Sequence, residues 1–76
     1  MLELIDVIEE LLTRNPKDID EALESIEKLG LRIINWTRLE GDTYMIFAVS
    51  NRTRIPYTIY VNIPVESEYD IVINIA

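Results

Sequence analysis

Trp36, Tyr44 and Tyr60 share the middle of the chain with Arg32, Arg38, Arg52 and Arg54, the only basic residues between positions 31 and 63. Arginine beside an exposed aromatic is a combination that grips single-stranded nucleic acid: guanidinium groups neutralise phosphates while rings stack on unpaired bases. Two features oppose that reading. The chain carries a net charge of −7 with a pI near 4.3, far from the basic footprint of such proteins, and no glycine-rich or aromatic module signature accompanies the arginines. Nucleic-acid binding through these four arginines therefore ranks as an alternative. The converse chemistry is also present. Nine of the fourteen acids fall within residues 1–30, where they could face a basic partner as an acidic decoy does, although any solvated helix pair presents the same composition.

Catalysis finds less to work with. With no His and no Cys, the commonest general base and the thiol nucleophile are missing. Ser25, Ser50 and Ser67 have no base near them in sequence, and Lys17 and Lys28 both fall on the polar side of a helix. Glu40 with Asp42, and Glu66, Glu68 and Asp70, are carboxylate groups at turns, where acids are solvated rather than set apart as acid and base. The alternation Glu66-x-Glu68-x-Asp70 offers oxygen ligands to a hard cation but lacks the glycine turn and further ligands of a calcium loop. The expectation is a non-enzyme with no cofactor, no metal site and no small-molecule substrate.

The elements that must position these residues are legible from periodicity. Ile55–Ile63 alternates strictly, with Ile55, Tyr57, Ile59, Val61 and Ile63 on one side of a strand. Residues 2–13 place Leu4, Ile5, Val7, Ile8, Leu11 and Leu12 in one helical arc, with Leu2 toward the polar side among Glu3, Asp6, Glu9, Glu10 and Thr13. Asn15-Pro16-Lys17-Asp18 reads as the start of a second helix, with Asn15 as its cap. Its apolar stripe is Ile19, Ala22, Leu23, Ile26 and Leu29, and Gly30 stops it. Strands are expected over 31–39, 43–50, 55–63 and 69–75, joined by turns at 40–42, 50–54 and 64–68, with Ile33-Ile34 marking a bulge or register shift. The result is one α+β domain over residues 1–76. An N-terminal antiparallel helix hairpin packs on a four-stranded antiparallel meander, the order ααββββ in two layers.

If odd positions face the helices, the open side of the sheet carries Ile34, Trp36, Tyr44, Ile46, Ala48, Thr58, Tyr60, Asn62, Val72 and Asn74. Trp36, Tyr44, Ile46, Tyr60 and Val72 would then form an apolar, aromatic-centred patch of the kind that marks a partner surface. A chain this short has a thin core, and pairing two open sheet faces supplies a second one. The reading is therefore a protein-interaction module, a homodimer or a binder of another protein, associating by the sheet face or by an edge strand that carries no lysine. No stretch has the basic start of a secretory signal or the length of a membrane span, so a complete, soluble, cytoplasmic gene product is expected, with no membrane partner. The lack of Cys and Gln and a count of only two Gly fit a thermophilic source.

Overall fold

A computed structural model describes residues 2–76, with side chains from Leu4 onward. The expected polar-side placement of Leu2 and Glu3 lies outside the described side chains. Helix α1 (Leu2–Arg14) and helix α2 (Ile19–Lys28) are followed by strands β1 (Leu31–Arg38), β2 (Thr43–Ser50), β3 (Pro56–Asn62) and β4 (Ile71–Ile75), with a 3-10 turn at Glu68–Asp70. The strands form one antiparallel sheet in the order β1-β2-β3-β4. This is the expected two-layer α+β arrangement, with the helix hairpin packed on one face of the sheet.

Helix α1 buries Val7 and Leu11 and half-buries Leu4, Ile8 and Leu12. Ile5 stands at the margin of the apolar arc and stays 53% exposed. The connection to α2 departs from expectation. Asn15 has φ 47° and its amide bonds back to the Leu11 carbonyl at 3.0 Å, so it closes α1 in the left-handed conformation that asparagine tolerates. The cap of α2 is Asp18 instead. Its carboxylate accepts from the Glu21 amide at 2.9 Å, and Glu21 reaches back to accept from the Lys17 amide at 2.9 Å. Pro16, just before this exchange, is buried. Gly30 ends α2 at φ +90° with its amide on the Glu27 carbonyl, and Leu31 beyond it is buried.

The core lies between the layers. Ala22 and Ile26 of α2 and Val7 and Leu11 of α1 meet Leu31, Ile46, Ala48, Tyr57, Ile59, Val61 and Ile71 of the sheet, with Ile63 and Val65 in the same cluster. Residue 69 does not belong to a strand. Ser67 accepts from the Tyr69 amide, while Asp70 takes the amides of Glu66 and Ser67. The chain winds into a turn that leaves Tyr69 87% exposed rather than in the core. The Ile63–Pro64 peptide bond in this connection is cis.

Candidate interaction face

Residues directly opposite one another in an antiparallel ladder share a face of the sheet, so the pairing sorts every strand position. Ile59 lies opposite Ile46, Tyr57 opposite Ala48, and Val61 opposite Tyr44. The odd residues of β3 face the helices as expected, and they bring the even residues of β2 with them. Ile46 is completely buried in the core. Tyr44 and Ala48 share its side, so none of these three stands on the open face.

The reason is the connection between β2 and β3. Ser50 and Ile55 close it through a 3.0 Å backbone bond, and residues 51–54 between them are even in number. Even positions of one strand therefore pair with odd positions of the next. Strand β1 changes phase within itself. Ile33 pairs with Ala48, but Asn35 pairs with Phe47, and the extra residue Ile34 forms the bulge. Beyond it Trp36 lies opposite Ile46, on the helix side.

Of the five residues expected to make a partner surface, Tyr60 and Val72 occupy the open face, opposite each other. Trp36, Tyr44 and Ile46 do not. Trp36 and Tyr44 form a tilted ring pair with centroids 5.9 Å apart, at the end of the sheet where Trp36 remains 39% exposed.

The open face is built from four cross-strand rows. Arg32, Val49 and Pro56 begin it, and Ala76 is tied to Pro56 through its amide at 3.0 Å. Asn35, Phe47, Thr58 and Asn74 form the second row, and Thr37, Met45, Tyr60 and Val72 the third. Thr43 and Asn62 begin the fourth, joined by a side-chain hydrogen bond, and Asp70 ends it, its Oδ1 accepting from the Asn62 amide nitrogen at 3.4 Å. Phe47 and Met45, absent from the expected patch, occupy the centre with Thr58 and Tyr60. Their signal in the sequence is the apolar character of both alternating sets in TYMIFAVS, which periodicity alone cannot assign to a side.

Side-chain charge is confined to two positions of these rows. Arg32 stands at the β1 corner of the first row, and Asp70 at the β4 end of the last. Backbone amides of Glu66 and Ser67, donating to Asp70 Oδ2 at 2.9 and 3.1 Å, hold its carboxyl below the ordinary carboxylate range. Burial opposes these amides more weakly, and the Asn62 side chain adds to the lowering. A cleft of about 210 Å³ lies beside Asp70, lined by Tyr60, Asn62, Tyr69, Asp70 and Val72 among others.

The four arginines are not gathered. Arg32, Arg52 and Arg54 lie toward the end of the sheet that carries residues 51–54, whereas Arg38 lies at the other end of β1, roughly 20 Å away at the rise of an extended strand. Arg38 also stands on the opposite side of the sheet, across from Tyr44, and its Nε donates to the Gly41 carbonyl at 2.6 Å. Among the described residues the one ion pair is Arg14 with Glu10, so none of these residues gives Arg32, Arg52 or Arg54 an acid partner in the monomer.

The serines hold backbone. Ser25 donates to the Glu21 carbonyl, Ser50 accepts from the Arg52 and Thr53 amides, and Ser67 caps the 3-10 turn. With the Asp70 carboxylate accepting from the Glu66 and Ser67 amides, Glu66, Glu68 and Asp70 do not converge, and no group of three acids among the described residues could hold a metal ion. No helix among them is long and apolar enough to cross a membrane. Comparison of the chain with protein-family models, curated proteins and solved structures finds no match.

Proposed function

We propose that this protein acts by binding rather than by catalysis, and that it self-associates through the open face of its sheet. The observation that carries the reading is the distribution of charge and apolar surface. The helix layer bears most of the acids of a chain with net charge −7, so two copies repel through their helices. The open face has Met45, Phe47, Val49, Tyr60 and Val72 within a polar surround of Asn35, Thr37, Thr43, Asn62 and Asn74. An aromatic and methionine-containing centre depleted of charge, with a polar rim, is the anatomy of a protein interface. Pairing two such faces also gives a thin-cored domain a second core.

The test is solution mass. Val72 is 51% exposed, so Val72→Glu leaves the monomer's own packing little changed while placing a carboxylate in the interface. The variant should run as a monomer with an unaltered circular dichroism spectrum, whereas the wild type runs as a dimer. A wild-type monomer at all concentrations overturns the proposal.

A second reading rests on Arg32, Arg52 and Arg54, none of which pairs with an acid among the described residues: phosphate contact at one end of the sheet, with Tyr60 and Phe47 as stacking surfaces. It predicts salt-dependent binding of a single-stranded oligonucleotide that Arg52→Glu with Arg54→Glu abolishes. We also propose a cytoplasmic location and a thermophilic source on the compositional grounds given above.

A further inference from the structure

The two charged side chains of the open face, Arg32 and Asp70, occupy diagonally opposite corners, and that placement constrains how two copies can meet. We propose that the dimer forms about a two-fold axis running across the sheet face perpendicular to the Arg32–Asp70 diagonal, so that Arg32 of each copy enters the Tyr60–Tyr69–Asp70 cleft of the other. This inference rests on the sheet-face dimer proposed above and specifies its geometry.

In a face-to-face dimer the two-fold axis lies in the interface plane, and each residue meets the mirror position across that axis. Three simple axes fail to join these two side chains. An axis along the strands sets Arg32 against the Ala76 corner. An axis across the strands sets it against the Leu39 end of β1. An axis along the Arg32–Asp70 diagonal sets Arg32 against its own copy, joining like charges. The axis perpendicular to that diagonal joins the cation to the anion, and by symmetry does so twice. It also passes close to Met45 and Thr58 and sets Phe47 against Tyr60, giving the interface an aromatic contact on either side of its centre.

The dimensions agree. Three strand spacings and the span between the first and last rows make the face roughly 14 by 20 Å, so the strands of the two sheets would cross at roughly 70°, closer to orthogonal than to aligned packing. The cleft suits a guanidinium. Its volume of about 210 Å³ is bounded by Tyr60 and Tyr69, whose rings can lie against the planar cation. Asp70 is held in place by the Glu66 and Ser67 amides, and its Oδ1 carries the long contact from Asn62. Arg32 is exposed, and no described residue pairs with its charge in the monomer.

Sedimentation equilibrium on four proteins tests this: wild type, Arg32→Glu, Asp70→Asn and the double variant. Asp70→Asn keeps an oxygen to accept the turn amides while removing the charge. With two contacts per dimer, Arg32→Glu should raise the dissociation constant by roughly 100-fold and Asp70→Asn by roughly tenfold. The double variant should be no weaker than Arg32→Glu alone, because the carboxylate introduced at position 32 would no longer oppose a second one. A dimer indifferent to Arg32→Glu, or effects that simply multiply in the double variant, would overturn the pairing and leave the sheet-face dimer standing. A wild type that never dimerises defeats the earlier proposal instead.

Discussion

Trp36 and Tyr44 are diagonal neighbours on the helix side of the sheet, their rings 5.9 Å apart at an interplanar angle of 58°. The pair faces away from the surface formed by Phe47, Met45 and Tyr60. Trp36→Glu should therefore leave the proposed dimer intact while costing about 0.5–1.5 kcal/mol of monomer stability through the lost ring pair. Sizing chromatography and chemical denaturation of this one variant check both parts.

Ile59 is wholly buried opposite Ile46, at the centre of the helix-facing side. Ile59→Ala removes methyl and methylene groups from a core too small to close over the gap, and should cost about 2–5 kcal/mol. In a domain of this size that is a large part of the total stability. Urea denaturation gives the value directly.

Asp18 caps α2 through the Glu21 amide, whereas Asn15 has no part in that cap. Asp18→Ala should lose about 1 kcal/mol. Asn15→Gly should be neutral or slightly stabilising, because glycine adopts the left-handed conformation of residue 15 without steric cost. Thermal denaturation of the two variants checks this, and a reversal of the outcomes would return the cap to Asn15.

Asp70 titrates below the ordinary carboxylate value of 3.8 because the Glu66 and Ser67 amides, and then the Asn62 side chain, favour its charged form. A carboxyl lowered in this way contributes stability in full well above pH 3.8, and the contribution is lost as the pH falls through the lower folded value. Acid titration followed by NMR at residues 66–70 should show the turn opening below that range, and Asp70→Asn should remove this transition.

Much of the fold is legible in the sequence because its signals are local. The helix stripes, the Gly30 stop, the alternation of Ile55–Ile63 and the short connections each follow from nearby residues. The Ile33-Ile34 step also marks the place where the bulge is found. The face of the sheet is not legible in the same way. Whether Ile46 points in or out depends on the number of residues between Ser50 and Ile55, and a change of one would exchange the faces of β2. Both alternating sets of β2 are apolar, so hydrophobicity cannot correct the parity. Asn15 is ambiguous for a related reason: asparagine serves equally as a helix cap and as a left-handed stop, and only backbone geometry separates the two. Tyr69 reads as a strand residue because alternation continues through it, whereas Asp70 draws the preceding amides into a turn.

The open face around Phe47, Met45 and Tyr60 is proposed to join two copies of the chain. The most direct measurement is the solution mass of the wild type by light scattering on a sizing column, in low and in high salt. A dimer, twice the 8.9 kDa of one chain, that persists in high salt is the predicted result, because apolar burial survives screening. A mass of one chain in both salts would contradict it.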